Sequence, residues 1–523
     1  MKDKLRVLIA LLFGFAELTL PIGSSAQGTA ALNHGAKHHH YRLIDLGTLG
    51  GPNSSVTFGG YTSKTLNSQG TVVGFADTST PDPDCIVDCF INHPLQWRNG
   101  ISTDLGALPG VNNSFASGFN SRGWVVGASQ NGAIDPLTGS PEMNAVLWRD
   151  GEIINLGTLG GNVSGANALN NRGQVVGGAL NTIPDLFPNT FYFLKSYILD
   201  YFPFYYFPPS TESHAFLWED GKMHDLGTLG GPDSVAWFVN ERGQVAGQST
   251  IDSIANSTTL IPTVDPFFWD HGKMVDIGNL GGTYGYVIGF NNRGQMAGSM
   301  TLAGDQAYHP FLWSGGVLTD LGTFGGNCGV AHALSDTGEV VGWTGDCQGA
   351  AFAFLWKNGV MTDLGTVDGD PCSASDGINS KGQVVGESSP SCFGGPAQEG
   401  FLWENEGSAV DLNTLISPNS GLVVTTGFSI NDRGEINGNG LLPNGDQHAI
   451  LLIPCDENHP DVEDCDYSLA EATSSAVQLR PAQIPQAQVA SPAKLFPGEA
   501  MTRFPSLRAG RNRRNGAPQT SPQ

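Results

Sequence analysis

Short apolar stretches alternate with turn residues along most of this chain of 523 residues. From Asn170 the chain reads NNRGQVVG, a later stretch ends in AFLW at Trp218, and EDGK and MHDLGTLGG follow. Apolar runs of this length, rich in Val, Phe and Trp and bounded by Asn, Asp and Gly, predict β-strands joined by tight turns. The pattern therefore predicts an all-β protein.

Three of these phrases recur in a fixed order, and each occurs eight times. Internal repetition of this kind decides the fold, because each repeat builds the same structural unit. The DLGTLGG-type phrase begins at Asp45, Asp104, Asn155, Asp225, Asp276, Asp320, Asp363 and Asp411. The NNRGQVVG-type phrase begins at Asn67, Asn120, Asn170, Asn240, Asn291, Ser335, Asn379 and Asn431. The AFLW-type phrase ends at Trp97, Trp148, Trp218, Trp269, Trp313, Trp356, Trp403 and, without tryptophan, at Leu452.

Each repeat holds four strand-like segments in about 45 to 50 residues, which is the unit of a β-propeller blade. The chain begins with an isolated fourth strand at 41–46 and ends with three strands at 425–453. Together these would complete one blade. We predict an eight-bladed β-propeller of four-stranded antiparallel blades, closed by the N-terminal strand, with seven blades or an open β-solenoid as the alternatives.

The phrases DLGTLGG, LNNRGQVVG and AFLW resemble those of the HAF repeat family, a group of predicted extracellular bacterial repeat proteins. The resemblance covers residues 41–454. It implies export and a repeat architecture, and it brings no activity, ligand or catalytic residue that could be transferred to this chain.

Composition and charge exclude several classes of protein. The 71 glycines argue against a mainly helical fold, because each interior glycine costs a helix about 1 kcal/mol. The net charge is −24, whereas binders of nucleic acid or anionic membranes need a basic surface. We expect an acidic monomer that has no transmembrane span and binds no nucleic acid.

The two ends of the chain differ from the repeats. Residues 1–26 have a basic start, an apolar run and small residues before Gln27, which is typical of a signal peptide. We expect a linker at 27–40, with the His38, His39, His40 run exposed to solvent, the propeller at 41–465, and a disordered Pro/Ala/Gln-rich tail with a basic end at 466–523. The predicted location is secreted, periplasmic or extracellular.

The eight cysteines fit an oxidising compartment and occur at local spacings. Neither the cysteines nor two acidic loops, at 82–88 and 456–464, match a known metal-ligand spacing, so we predict no metal and no cofactor. The expected disulfides join Cys85 to Cys89, Cys328 to Cys347, Cys372 to Cys392, and Cys455 to Cys465.

One position in each repeat varies while its neighbours stay small or aliphatic. It lies three residues before the Asn of the NNRG turn, on the strand that is innermost in a propeller. A mixed ring inside a uniform repeat indicates a binding site on a scaffold, and the alternative is that these side chains only fill uneven space between blades. The candidate ligand-binding residues are Lys64, Trp237, His332 and Asp376.

The third repeat contains an aromatic insertion at 180–214 between its second and third strands. Aromatic surfaces favour glycan or protein partners, or a membrane surface, and the alternative is packing on the protein's own propeller. The predicted partner patch comprises Phe191, Tyr192, Tyr197, Tyr201, Tyr205 and Tyr206.

No catalytic residue is predicted, because the chain contains no GxSxG, HExxH or P-loop motif. The aspartates of the DLGTLGG phrases would lie on the outermost strands, too far apart to share one substrate, so we expect them to make structural hydrogen bonds. The leading hypothesis is an exported, non-catalytic binding or scaffolding module that acts through its variable-loop face and the mouth of the central channel, which the variable position would line. The alternatives are an extracellular hydrolase or lyase acting at the channel mouth, with His332 and Asp376 as acid–base residues, and a purely structural surface repeat.

Overall fold

The computed structural model describes residues 37–56, 65–82, 89–110, 112–137, 139–187, 210–257, 259–347, 349–392, 398–404 and 407–471. All of them belong to one compact unit. The described residues form β-strands and no α-helix, and a single 3-10 turn occurs at Leu412–Thr414. The all-β prediction is confirmed.

The first part of the chain builds four-stranded antiparallel sheets from consecutive strands. Two strands precede them, β1 (Lys37–His39) and β2 (Tyr41–Asp45). Sheet 1 contains β3 (Gly50–Ser55), β4 (Val72–Pro81), β5 (Phe90–Arg98) and β6 (Ile101–Asp104). Sheet 2 contains β7 (Ser114–Phe119), β8 (Val125–Ile134), β9 (Pro141–Arg149) and β10 (Glu152–Gly157). Sheet 3 contains β11 (Ser164–Leu169), β12 (Val175–Pro184), β13 (Thr211–Glu219) and β14 (Lys222–Asp225). Sheet 4 contains β15 (Ser234–Val239), β16 (Val245–Thr250), β17 (Val264–Asp270) and β18 (Lys273–Asp276).

The second part repeats this arrangement, and single parallel strand pairs join sheet 4 to sheet 5 and sheet 5 to sheet 6. Sheet 5 contains β19 (Gly281–Phe290), β20 (Met296–Leu302), β21 (Tyr308–Ser314) and β22 (Val317–Asp320). Sheet 6 contains β23 (Cys328–Leu334), β24 (Val340–Gly345), β25 (Ala351–Lys357) and β26 (Val360–Asp363). Sheet 7 contains β27 (Cys372–Ile378), β28 (Val384–Ser389), β29 (Glu399–Trp403) and β30 (Val410–Asp411). Sheet 8 contains β31 (Val423–Ile430), β32 (Ile436–Leu441) and β33 (Gln447–Pro454).

The fourth strand of sheet 8 comes from the other end of the described chain. Strand β2 pairs antiparallel with β33, with Tyr41 opposite Pro454 and Asp45 opposite Ile450. The last strand, β34 (Leu469–Glu471), pairs with β1 in a separate two-stranded sheet. Four-stranded antiparallel meanders of this kind are the building units of β-propellers.

The NNRG-type turns of neighbouring sheets contact one another. Within sheet 3, Asn170 Oδ1 accepts the N–H groups of Arg172 and Gln174, while Asn170 Nδ2 donates to the backbone oxygen of Asn240 in sheet 4. We call the side of the unit that carries these turns the turn face, and the opposite side, which carries the DLGTLGG loops and the loops between second and third strands, the loop face. The same amide-to-carbonyl bond joins Asn120 to Asn170, Asn240 to Asn291, Asn291 to Ser335, Asn379 to Asn431, and Asn431 to Asn67.

A serine in the first strand joins sheets near the loop face. Ser234 Oγ donates to the oxygen of Gly227 in the preceding loop and accepts the N–H of Ala215 from sheet 3. The sequence explains the position, because this serine follows the DLGTLGG glycines in several repeats. Equivalent bonds join Ala145 to Ser164, Ala353 to Ser373, and Ala449 to Ser54.

The core lies between sheets and is built by the QVVG and AFLW strands. One cluster combines Val176 and Leu217 of sheet 3 with Val245 and Phe267 of sheet 4. The phenylalanine of the AFLW phrase is fully buried in five consecutive sheets, and most of the tryptophans that follow are also buried. The repeated aromatic residues therefore pack between sheets.

Three of the four expected disulfides are present, between Cys328 and Cys347, Cys372 and Cys392, and Cys455 and Cys465. Cys89 is also disulfide-bonded, and Cys85, its expected partner, lies outside the described residues. Disulfides are typical of oxidising compartments.

The expectation of a solvated histidine run at 38–40 is wrong for His38. Its side chain is buried, and Nδ1 lies 2.8 Å from Glu404 Oε1 in sheet 7. The segment is held in place because β1 pairs with β34, so the ordered contacts reach into stretches assigned by sequence to the linker and the tail.

Candidate functional site

In sheets 2 to 8 the variable position of the repeat coincides with a β-bulge in the first strand. In sheet 6 the pairing of β23 with β24 shifts between Ala331 and Ala333, so His332 is the extra residue. A bulge leaves one residue outside the ladder and redirects its side chain. The other bulge residues are Ser117, Asn167, Trp237, Ile288, Asp376 and Phe428. We call this set the bulge ring.

The glycine of the QVVG strand accounts for the bulge. In sheet 6 a Cβ at Gly342 would lie against the backbone oxygen of Val330, closer than real Cβ atoms come. Glycine inside a strand marks a bulge or a close approach of two backbones. The sequence carried this signal in every repeat, and our sequence analysis missed it. The same conflict arises at Gly74, Gly127, Gly177, Gly247, Gly298, Gly386 and Gly438.

The structure brings two of the predicted ligand-binding residues together. His332 Nδ1 lies 2.8 Å from Asp376 Oδ1, joining sheets 6 and 7. The Asp376 side chain is 4% exposed, and its second oxygen, Oδ2, has no hydrogen-bond partner among the described residues. A buried carboxylate oxygen is costly without a partner, which marks this position as a site for a donor group.

Of the other predicted binding residues, only Trp237 lies in the described part of the chain, in surroundings different from those of this pair. Trp237 is buried in an apolar cluster with Val235 and Val264, against Tyr284 of sheet 5. Lys64 lies outside the described residues, as does the aromatic patch of Phe191, Tyr192, Tyr197, Tyr201, Tyr205 and Tyr206.

The bulge ring lies nearer the turn face than the loop face. His332 is the fifth of seven residues in Cys328–Leu334, a strand that runs from the loop face towards its turn. Asp376 occupies the same place in Cys372–Ile378. The candidate ring and the variable loops therefore sit at opposite ends of the first strands, which the sequence analysis had placed together.

The aspartates of the DLGTLGG phrases make the structural hydrogen bonds predicted for them. Asp45 Oδ1 accepts the N–H of Gly47, and both Asp45 oxygens contact His448 Nδ1, at 2.8 and 2.9 Å. Burial by itself would raise the pKa of Asp45, but the bonds from His448 and Gly47 outweigh it, so the pKa is lowered. Three further pairs join His93 to Asp104, His214 to Asp225, and His309 to Asp320.

Two carboxyl groups in sheets without this histidine show the opposite shift. In sheet 6 the position equivalent to the histidine is Phe352, two residues before Phe354, the strand partner of Asp363, and burial raises the pKa of Asp363 above its ordinary value. In sheet 4, burial together with the nearby Asp276 raises the pKa of Asp265 to about 6. The pKa of the aspartate is thus lowered in the four sheets where the histidine is present, whereas Asp363, which lacks it, has a raised pKa.

The Lys and Arg side chains of the described residues lie on one of the two faces. Among the described residues, most Lys and Arg side chains lie in or beside a turn of the turn face. The remaining two are Lys37 in β1 and Arg42 in β2. The loop face carries the aspartates of seven of the eight fourth strands, and no Lys or Arg in the part of the chain that is described. The turn-face cations are Lys37, Arg42, Arg98, Arg122, Arg149, Arg172, Lys222, Arg242, Lys273, Arg293, Lys357, Lys381 and Arg433.

A pocket of about 820 Å³ lies on the turn face where the two chain ends meet, lined by Lys37, Lys381, Arg433, Asp456 and others. Beneath it, His459 Nδ1 lies 2.7 Å from Asp456 Oδ1. Sequence reasoning missed this pocket because its walls come from β1, two turns and the Cys455–Cys465 loop, which are distant in sequence.

Neither a metal centre nor a spanning helix emerges from the described residues. Within them, no group of three or more His, Cys, Asp and Glu side chains is arranged to hold a metal ion. No helix in the same residues is long and apolar enough to cross a bilayer.

No protein-family model matches the chain, and no curated protein matches it. The HAF repeat resemblance therefore stays a resemblance.

Among solved structures, the chain is similar to a puromycin-hydrolyzing peptidase of Mycobacterium tuberculosis, at 13% identity and a TM-score of 0.39, over 79% of this chain and 62% of that one. It is similar to the β-propeller domain of the Trilobed protease from Pyrococcus furiosus, described as having an open velcro topology, at 9% identity and a TM-score of 0.38, over 68% and 97%. It is also similar to TolB from Acinetobacter baumannii, at 13% identity and a TM-score of 0.27, over 46% and 59%. These comparisons assign neither an activity nor a ligand to the chain.

Proposed function

We propose that the protein is an exported, closed eight-bladed β-propeller that acts as a non-catalytic binding or scaffolding module for a glycan or protein partner. Sheets 1 to 8 would be its blades. The disulfides support export, because they persist in oxidising compartments.

Contacts between the two ends of the repeat array support closure into a ring. Strand β2 supplies the fourth strand of sheet 8. Ala449 N–H donates to Ser54 Oγ at 3.0 Å, and Asn431 Nδ2 donates to the oxygen of Asn67 at 2.9 Å. These are the contacts that consecutive sheets make elsewhere, here made between the eighth sheet and the first.

The observation that carries the binding role is the bulge ring. The surrounding frame repeats, yet the residue at the bulge is acidic, basic, polar, aromatic or aliphatic depending on the repeat. Asp376 keeps a buried carboxylate oxygen without a hydrogen-bond partner among the described residues, and His332 holds the other oxygen. A ligand that donates a hydroxyl, amide or ammonium proton to Asp376 would satisfy that oxygen. Trp237 and Lys64 complete the proposed set, and the aromatic patch of the third repeat is a second proposed contact surface.

The test is a binding screen of glycans, peptides and small amines with the unchanged protein and an Asp376→Asn, His332→Gln variant. We expect a ligand whose affinity falls at least about tenfold in the variant, because a hydrogen bond to a charged group is lost. The matched control is His271→Gln with Asp270→Asn, which changes an exposed His–Asp pair on a turn. Equal binding by all three proteins would rule out the bulge ring as the site.

A second candidate function is hydrolysis or elimination at the same place. The His332–Asp376 distance of 2.8 Å favours it, because a carboxylate on Nδ1 fixes the tautomer in which Nε2 can accept a proton. Turnover of glycan, peptide or ester substrates that disappears in His332→Ala would support catalysis. Rates equal to those of His332→Ala would leave only binding or a purely structural role.

A further inference from the structure

Large apolar side chains project from the loop face on three consecutive sheets. They lie in the loops between second and third strands of sheets 2, 3 and 4, and each is between 50% and 79% exposed. Large exposed apolar side chains that gather on one face of a protein are candidates for an interaction site. We call this set the apolar loop patch, and it comprises Ile134, Leu137, Ile183, Leu186, Ile254 and Leu260.

Each of the three loops that carry the patch contains a turn capped by an aspartate side chain. Asp135, Asp185 and Asp252 each accept the backbone N–H of the residue two positions later, at 2.7 to 2.9 Å. Asn162 Nδ2 also donates to Asp135 Oδ1, which ties the loop of sheet 2 to sheet 3. These bonds restrain the backbone beside Leu137, Leu186 and Ile254, which reduces the ordering entropy that opposes binding at those residues.

Leu260 is held in an unfavourable conformation as well as being exposed. Its φ is +62°, in the left-handed region that leucine rarely adopts, and its N–H is bonded to the oxygen of Asn256. Backbone strain of this kind concentrates at functional positions. The loop of sheet 4 thus presents a leucine to solvent at a cost in both backbone and hydration energy.

Carboxylates dominate the charge around the patch in the described part of the loop face, where His214 lies 3.9 Å from Glu212 and 2.8 Å from Asp225. Partly exposed carboxylates stand beside the apolar side chains in all three loops, and no Lys or Arg neutralises them in the described part of this face. A second copy of this face, or an anionic membrane, would be repelled by the same charge. The flanking carboxylates are Glu142, Asp185, Glu212 and Asp252.

From this combination we propose that the apolar loop patch binds a cationic amphipathic peptide segment of a partner protein. Its apolar side chains would cover the patch, and its Lys or Arg side chains would pair with the flanking carboxylates. The inference rests on the proposed binding function and names the partner class for the loop face.

The experiment titrates the full-length protein with a labelled synthetic amphipathic helix of leucine and lysine, against a scrambled peptide of the same composition. We expect saturable binding of the amphipathic peptide that weakens as salt is added, because salt screens the exposed charges. Tighter or equal binding of the scrambled peptide would overturn the proposal, and so would salt-independent binding.

Two variants locate the binding surface. Leu137→Ser, Leu186→Ser, Ile254→Ser combined should weaken binding at least about tenfold, through lost apolar contact. Glu142→Gln, Asp185→Asn, Glu212→Gln, Asp252→Asn combined should weaken it and flatten the salt dependence, while the asparagines still accept the loop N–H groups.

The matched controls change similar side chains on the turn face. Ile101, Val317 and Val360 are 63% to 66% exposed at the starts of fourth strands, and their combined change to serine should leave affinity unchanged. Glu152→Gln with Asp220→Asn should do the same for charge. Equal losses in the patch variants and the controls would overturn the proposal, as would binding to phosphatidylcholine vesicles without binding to the peptide.

The experiments distinguish failure of the peptide-binding proposal from failure of the proposed ligand-binding function. A failed peptide titration, together with a ligand that is lost in the Asp376→Asn, His332→Gln variant, would overturn only the partner class of the loop face. Peptide binding that depends on the patch but not on His332 or Asp376 would support this inference and remove the bulge ring as the site.

Discussion

The side-chain amide of Asn431 donates a hydrogen bond to the backbone oxygen of Asn67 at 2.9 Å, although 364 residues separate the two. Asn431 Oδ1 also accepts the N–H groups of Arg433 and Glu435 in its own turn. One asparagine therefore stabilises both a turn and the contact between the first and last repeats. If the repeats form a ring, this contact is equivalent to those between neighbouring sheets elsewhere.

We expect Asn431→Ala to lower the free energy of unfolding by about 1 to 3 kcal/mol, because it leaves buried backbone groups without partners. Asn379→Ala, which breaks the same bonds between sheets 7 and 8, is the matched control and should cost a similar amount. Urea unfolding at neutral pH measures both. A normal unfolding midpoint for Asn431→Ala beside a lowered one for Asn379→Ala would argue against closure.

The glycine opposite each bulge provides a test of the strand geometry. Gly342→Ala should lower the free energy of unfolding by about 3 kcal/mol, because its Cβ would overlap the backbone oxygen of Val330. Gly151→Asn is the control, since nothing lies within 4 Å of a Cβ there and asparagine tolerates its positive φ. Denaturant unfolding compares the two. Similar small losses would mean that the strands are not held this close.

The His–Asp pairs of the fourth strands predict how stability depends on pH. A lowered aspartate pKa stabilises the fold above about pH 4, and this contribution is lost as the pH falls. The bond to Asp45 is the main cause that raises the pKa of His448, and Asp225 raises that of His214 against burial. A raised histidine pKa stabilises the fold below about pH 6.5, and this contribution is lost as the pH rises through the folded pKa.

Unfolding free energies measured across pH should therefore be greatest between about pH 4 and 6.5 for these pairs. His448→Phe combined with His214→Phe should reduce the decline on the alkaline side. An unchanged alkaline slope in this variant would show that the pairs are not its source.

Asp363 offers the converse experiment. Phe352→His would place a histidine where the paired sheets have one, and the pKa of Asp363 should then fall below its ordinary value. We expect a gain of less than about 1 kcal/mol at pH 5 relative to pH 8, because the pair is partly exposed. Phe352→Asn, which removes the ring without adding a charge, is the control, and carboxyl titration by NMR gives the pKa directly. An Asp363 pKa that stays raised would refute the proposed role of the histidine.

Most of the fold could be predicted because its information is local. The NNRG and EDGK turns and the apolar strands between them mark each sheet in the sequence, and the structure places strands there. The bulges were also encoded, since a glycine such as Gly342 recurs inside every QVVG strand. The even number and the local spacing of the cysteines correctly predicted the pairs that the structure describes.

The site could be predicted only in part. The variable position identified His332 and Asp376, but their contact depends on how two sheets pack, which no local pattern specifies. The burial of His38 against Glu404 was missed for a similar reason, because the two residues are 366 positions apart.

Because each bulge residue lies outside the strand ladder, its side chain can vary without breaking the ladder hydrogen bonds of its sheet. Strand pairing resumes on either side of Ser117 and Asn167, so neither residue belongs to the ladder that holds its sheet together. Substitution at these positions therefore leaves the ladder hydrogen bonds in place, although Asn167 also donates from Nδ2 to the backbone oxygen of Ala236 in sheet 4. A protein of this design can acquire a new ligand through substitutions at a few positions, and a designer could use those positions as a small combinatorial library.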